Sequence, residues 1–281
     1  MKLDLNLQAT ESLLVNYIQE YTQQSGFANL VIGLSGGLDS SVAVTLAVAA
    51  LGKNHVIGFS LPYLDMAETE DAEELAYKLG ITYTVEYIDR AVYAIEETLS
   101  DIQLDIKYDD NEYQLCRGNI CARTRMIFLY DLSKTYNALV LGTGNKSEYY
   151  LGYTTIWGDM ACSFNPLGDL YKTQVRALAK HIGVSSAIIE KAPSAGLWDG
   201  QTDEGELGFT YAEADAILSI LIDSGLAEDT AIEALLAQGI KQKIIDTVLA
   251  RVKATEFKRR MPDYKSLTNN CFIPDLFNGA F

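Results

Sequence analysis

Between Leu30 and Leu51 the chain reads LVIGLSGGLDSSVAVTLAVAAL. The apolar run Leu30-Val31-Ile32 ends in Gly33-Leu34-Ser35-Gly36-Gly37-Leu38-Asp39-Ser40, and beyond Ser41 every residue is small or branched apolar, or Thr. A short apolar run, a glycine turn and a longer apolar run read as a buried strand turning tightly into a buried helix. This junction narrows the architectures open to the chain more than any other stretch does.

The same alternation recurs downstream. HVIGFSL leads into ETEDAEELAYKLG, TYTVEYI into AVYAIEETLSDI, and a helix from about Asn119 to Tyr136 into ALVLGTG. Strands that alternate with helices predict an α/β fold with a doubly wound, mostly parallel sheet, and ligands bind such sheets at the carboxyl ends of the strands. The acidic stretch DIQLDIKYDDNEYQLCRG reads as an irregular loop between units. Beyond Pro166 the pattern is helical: DLYKTQVRALAKHIG, TYAEADAILSILIDSG, EDTAIEALLAQG and QKIIDTVLARVKATEFKRR succeed one another with Gly near their ends. APSAGLWDGQTDEGELGF, rich in Gly and Asp, reads as a mobile surface loop. No Pro- or Ser-rich linker interrupts the chain, so residues 1–281 are expected to form one domain.

Composition excludes several function classes. Lys and Arg number 22 against 38 Asp and Glu, a formal charge of −16. Without a basic surface, nucleic acid is not an expected partner. The four cysteines (Cys116, Cys121, Cys162, Cys271) give neither a disulfide framework nor zinc spacing, which fits a reducing compartment. There is no signal-peptide core and no apolar run of about 18 residues, so the expected location is the cytoplasm, away from membranes.

The glycine turn has its own chemistry. Backbone N–H groups at Gly36 and Gly37, the hydroxyls of Ser35, Ser40 and Ser41, and the positive end of the following helix together form a cradle for an anion. Neither the Lys-Ser/Thr of a P-loop nor the dinucleotide-fold glycine spacing is present. A carboxylate at Asp39, among groups suited to phosphate, calls for an intervening cation, and Mg²⁺ is the natural one.

The octapeptide Gly33–Ser40 resembles the pyrophosphate loop of the N-type ATP pyrophosphatases, which cut ATP between its α and β phosphates. Four further stretches narrow the resemblance: RGNICARTRMIFLY, VLGTGNKSEYYLGYTTIWGD, NPLGDLYKTQVRALAKHIG and APSAGLWDGQTDEGELGFTY. In that order, over about four fifths of the chain, they are similar to the ammonia-dependent NAD⁺ synthetases. The resemblance implies an adenine nucleotide alpha hydrolase-like fold with a helical C-terminal part. It also implies the reaction of deamido-NAD⁺ (nicotinate adenine dinucleotide), ATP and ammonia to NAD⁺, AMP and pyrophosphate.

Site residues follow from the same resemblance. Gly33, Leu34, Ser35, Gly36, Gly37, Leu38, Asp39 and Ser40, with Thr143, Lys172 and Ser194, correspond to ATP contacts, Ser194 replacing a usual Thr. Asp39 and Lys172 correspond to the catalytic charges, and Asp39 with Glu148 to the Mg²⁺ ligands. Asn119, Arg123, Asp159 and Lys258 correspond to contacts with deamido-NAD⁺. At four-residue spacing Asn119 and Arg123 share a helix face, whereas Arg125 points roughly 200° away from Arg123, towards an ion pair or a neighbouring subunit. Taken alone, Lys172 reads equally well as a solvated helix charge and Glu148 as a surface acid. Three positions depart from the family pattern: Ile156 where a Lys is usual, Ser163 where an acid is, and Phe257 where a His is.

The family also implies a homodimer. Roughly 28 residues precede the first strand, too few for a glutamine-hydrolysing domain, so free ammonia, or ammonia from a separate glutaminase, is the expected nitrogen source. A tRNA-modifying ligase of the same superfamily would predict a basic surface or paired cysteines. A nucleotide-binding sensor would have no need of Asp39, Glu148 and Lys172 together.

Overall fold

The computed structural model describes residues 3–64, 69–102, 109–194 and 202–263. Among the described residues four parallel strands, β1 (Asn29–Gly33), β2 (Val56–Ser60), β3 (Thr82–Val85) and β4 (Ala138–Val140), lie in the order β3-β2-β1-β4. Helices cover both faces: α1 (Leu7–Gln24), α2 (Leu38–Leu51), α3 (Thr69–Leu79), α4 (Asp89–Ser100) and α5 (Asp110–Thr135). The remainder is helical: α6 (Lys146–Leu151), α7 (Lys172–His181), α8 (Ser186–Glu190), α9 (Asp203–Leu207), α10 (Tyr211–Asp223), α11 (Glu228–Ala237) and α12 (Gln242–Ala254).

Side-chain alternation along β1 accounts for the two faces. Leu30 and Ile32 join α1, α2, α3, α7 and α8 in one core, while Val31, between them, points to the other face with Val92 of α4 and Cys121 of α5. Helix α2 is buried nearly all round, from Leu38 through Ala47, as its largely apolar sequence demands. A third core, built around Leu151, Tyr171, Tyr211, Ile217 and Leu218, ties α6 to the C-terminal helices.

The chain runs outward from β1 to β2 and β3, then returns through α4 and α5 to place β4 on the opposite side of β1. The strand order therefore switches direction between β1 and β4. A crevice opens at such a point, outside the carboxyl ends of the two strands. The turn after β1 and the turn after β4 flank it.

Three expectations are corrected. The acidic stretch before Asn119 is not a loop throughout: α5 starts at Asp110, because Asp109 and Glu112 form a capping box, with Glu112 N–H donating to Asp109 Oδ1 at 2.8 Å. Within the Gly- and Asp-rich segment expected as a surface loop, residues 203–207 form α9, with Asp203 and Leu207 buried; residues 195–201 lie outside the described residues, as does Cys271. The last predicted helix stops at Ala254, and a 3-10 turn, Glu256–Arg259, follows. Among the described residues no helix is long and apolar enough to cross a membrane.

Candidate active site

The turn after β1 is held from both sides. Leu34 N–H donates to the Phe59 carbonyl at 2.8 Å, and Ser60 Oγ, itself receiving a bond from Tyr83 OH at 2.7 Å, donates to the Leu34 carbonyl at 2.5 Å. Gly36 has φ +74°, a conformation that glycine adopts without cost. The hydroxyls of Ser35 and Ser40 lie 3.0 Å apart, and Ser41 Oγ donates to the Gly37 carbonyl at 2.7 Å. No side chain caps α2 at Gly37, so the first N–H groups of this helix face the crevice without an intrahelical partner. A Cβ at Gly37 would sit 3.2 Å from Ser35 Oγ, which favours glycine there too.

The turn after β4 supplies the opposite wall. Thr143 is half-buried in it. Asn145 caps α6: its Oδ1 accepts from Glu148 N–H at 3.0 Å, and Glu148 Oε2 accepts from Asn145 N–H at 3.2 Å. With its oxygen so engaged, Asn145 presents Nδ2 to Asp39 Oδ1 at 3.0 Å and links the two turns across the crevice.

Lys172 completes the arrangement from the start of α7. Its Nζ lies 2.5 Å from Asp39 Oδ2 and 3.0 Å from Glu148 Oε1, and 5.2 Å from the centroid of the Tyr211 ring. The side chains of Lys172, Asp39 and Glu148 are 6%, 16% and 16% exposed, so solvent does not screen the cluster, and neither the solvated-lysine nor the surface-acid reading holds. Burial pushes the Glu148 carboxyl up to about 7, opposed by the Lys172 ammonium and reinforced by Asp39. Burial works against the charge on Lys172, but the two carboxylates outweigh it and raise its pKa.

The backbone of Lys172 is fixed from behind. Lys172 N–H donates to Ser147 Oγ at 2.8 Å, Ser147 Oγ donates to Asp215 Oδ1 at 2.5 Å, and Asp215 Oδ2 accepts from Thr173 N–H at 2.8 Å. Asp215 is fully buried and both its oxygens are engaged at the positive end of α7. Replacing Asp215 with Ala orphans the Thr173 N–H and the Ser147 hydroxyl. Stability is expected to fall by about 2–4 kcal/mol, measurable by urea denaturation.

The expected dinucleotide contacts gather around one loop, residues 152–159. Thr155 Oγ1 donates to Asn119 Oδ1 at 2.8 Å, and Arg123 Nε donates to the Ile156 carbonyl at 3.2 Å, so both α5 residues face this loop. Arg125 points elsewhere, donating to the Leu61 carbonyl at 2.9 Å, and makes no ion pair among the described residues. Asp159 Oδ1 accepts from Thr155 N–H at 2.6 Å, and Lys258 Nζ donates to the carbonyls of Gly152 at 2.8 Å and Thr154 at 2.6 Å. Burial pulls the Lys258 pKa down, with Asp159 opposing it. Trp157, half exposed, has φ +60°, a strained setting for a non-glycine residue.

The departures fall in different places. Ile156 belongs to the 152–159 loop, whereas Ser163 pairs with β4, its Oγ accepting from Val140 N–H at 3.1 Å. Phe257 is exposed, and Ser194 is exposed beyond α8.

The family model described as NAD synthase matches residues 11–262. The chain belongs to the NAD synthase family. The NH(3)-dependent NAD(+) synthetase of Chlorobium phaeovibrioides is 42% identical over 262 residues, spanning 92% of this chain and 90% of that protein. The same fold is seen in the NMN synthetase of Francisella tularensis, with TM-score 0.79 and 33% identity over 93% of this chain and 99% of that one. It is also seen in the NH3-dependent NAD synthetase of Campylobacter jejuni in complex with the nitrate ion, with TM-score 0.75 and 32% identity, covering 93% and 100% of the two chains.

On this NAD synthase fold, sequence reasoning missed Asn145, Ser147, Asp203, Asp215 and Tyr211 around the cluster. Asn145 had a local signal, since Asn145-Lys146-Ser147-Glu148 has the spacing of a capping box. Ser147 lies within that same box, one residue before Glu148, whereas Asp203, Tyr211 and Asp215 are brought in by tertiary packing of α9 and α10 and leave no trace in local spacing.

Proposed function

We propose that the chain is a ligase that amidates deamido-NAD⁺ with ammonia, cutting ATP to AMP and pyrophosphate. The observation that carries this reading is the meeting of Asp39, Glu148 and Lys172 at the mouth of the Ser35–Ser40 turn. A nicotinate oxygen attacks the α-phosphorus, the bond from that phosphorus to the bridging oxygen breaks, and pyrophosphate leaves into the turn. The ammonia nitrogen then attacks the activated carbonyl carbon, AMP departs with the bridging oxygen, and a proton is released to solvent.

No protein nucleophile takes part. The N–H groups at the start of α2 and the Lys172 ammonium hold the charge that builds on the leaving pyrophosphate. Asp39 and Glu148 would hold Mg²⁺: their oxygens already converge on one cation, the ammonium, and are the hard donors this metal takes. The metal supplies charge neutralisation between carboxylates and phosphates.

In this reading Thr143 and Ser194 contact ATP, and Asn119, Arg123, Asp159 and Lys258 seat the dinucleotide. Arg123→Ala is expected to raise KM for deamido-NAD⁺ about tenfold with kcat little changed, the loss of one charged hydrogen bond, as read from steady-state kinetics. Exposed Leu115 and Ile127 on α5 favour a homodimer, to be checked by light scattering.

A second substrate enters through the NMN synthetase relative, because the same amidation on nicotinate mononucleotide needs one nucleotide fewer. Chromatography of reactions with ATP, Mg²⁺ and ammonium tests the choice. NAD⁺ formed from deamido-NAD⁺ at the higher kcat/KM supports the reading; faster amidation of the mononucleotide replaces it.

A further inference from the structure

Asp203 stands out beyond the roles assigned so far. It is 3% exposed at the start of α9, its Oδ2 accepts from Tyr211 OH at 2.9 Å, and its Oδ1 has no hydrogen-bond partner among the described residues. A buried carboxylate oxygen without a partner is costly to the fold. The other buried acid nearby, Asp215, has both oxygens bonded to α6 and α7. Asp203 makes no ion pair among the described residues, yet Lys172 is the cation whose field acts on it most.

Both groups border Tyr211. The Tyr211 hydroxyl holds Asp203, and the Tyr211 ring lies 5.2 Å from Lys172 Nζ. Tyr153, whose hydroxyl donates to Glu206 at 3.1 Å, stands beside Asp203 as well. In this state the ammonium pairs with both Asp39 and Glu148, the two carboxylates assigned above to a divalent cation. It must leave them when the cation arrives.

We propose that Asp203 is a positioning residue for Lys172: it accepts the ammonium when a divalent cation displaces it from Asp39 and Glu148. Lys172 then acts as a tethered counter-ion that moves a short way between two acidic partners. It stays charged and buried throughout, placed beside the phosphates. The inference rests on the Mg²⁺ site of the proposed function.

Binding of Mn²⁺ to the full chain without nucleotide, followed by paramagnetic resonance or calorimetry, tests it. Wild type should bind one Mn²⁺, and Asp39→Asn should abolish that binding. Asp203→Asn, which keeps the shape and the Tyr211 contact, should weaken Mn²⁺ binding about tenfold. Lys172→Met, which removes the competing ammonium, should tighten it several-fold, and adding Asp203→Asn to Lys172→Met should then change little. A general charge effect of Asp203 would weaken binding equally in both backgrounds and overturns the proposal. So does unchanged affinity in Asp203→Asn. If Asp203→Asn fails to fold, Lys172→Met alone decides, and affinity equal to or below wild type refutes displacement. Wild-type protein that binds Mn²⁺ no better than Asp39→Asn overturns the metal site itself, a distinct outcome.

Discussion

Asp39→Asn is expected to give a folded protein whose turnover falls about a thousandfold or more. Asp39 lies in the first turn of α2, where its charge meets the helix dipole, and its oxygens accept from Lys172 at 2.5 Å and Asn145 at 3.0 Å. An amide retains the shape but loses the charge, so Lys172 keeps only Glu148. The cost to the fold is about 1–2 kcal/mol, from the dipole and a largely buried ion pair. The rest of α2 contributes its apolar surface to the core unchanged. The cost to catalysis is larger, because Asp39 is one of the two carboxylates proposed to hold the Mg²⁺ that would offset charge on the leaving pyrophosphate in a dry, preorganised setting. Pyrophosphate release rates and a thermal melt measure the two effects separately. Turnover close to wild type would remove Asp39 from the metal and phosphate chemistry.

Gly152→Ala is expected to have the largest effect on stability, a loss of about 3–5 kcal/mol. Gly152 closes α6 at φ +62°, and an added Cβ would run into the Thr255 side chain at the end of α12. That seam is densely bonded: Arg251 Nε to the Leu151 carbonyl at 2.8 Å, Lys258 Nζ to the Gly152 carbonyl at 2.8 Å, and Arg259 Nη1 to the Tyr150 carbonyl at 3.0 Å. Forcing α12 away carries Lys258 with it, so KM for the dinucleotide should rise alongside the fall in stability. Gly183→Ala is the control, since Gly183 has φ +80° but nothing within 4 Å of an added Cβ. It should lose only the backbone strain, about 1–2 kcal/mol. Equal losses in the two variants would show that strain, not the seam, sets the effect.

The strand–turn–helix at Leu30–Leu51 was legible because its evidence is local: a short apolar run, glycines at the turn, then a largely apolar helix. Repetition of that unit made the parallel sheet legible as well. Helix α1 was not, since only Leu14, Ile18 and Thr22 of its 18 residues are buried and the periodic signal is weak. The early start of α5 was hidden because an acidic run reads as a loop unless Asp109 and Glu112 are recognised as a cap. Lys172 shows the limit of local reasoning most clearly. Beside Thr173 and Gln174 it reads as an ordinary solvated charge, and only the docking of α7 against two turns 24 and 133 residues away buries it. Asp203 lies in a stretch whose glycines and acids suggest solvent, yet α9 packs it under Tyr211.

Pyrophosphate release from ATP and Mg²⁺ with ammonium, with and without deamido-NAD⁺, tests the central claim most directly. Release that depends on deamido-NAD⁺, with NAD⁺ appearing in equal amount, is the predicted result and assigns the glycine turn to the leaving pyrophosphate. Release of phosphate in place of pyrophosphate, or pyrophosphate release that ignores deamido-NAD⁺, would contradict it.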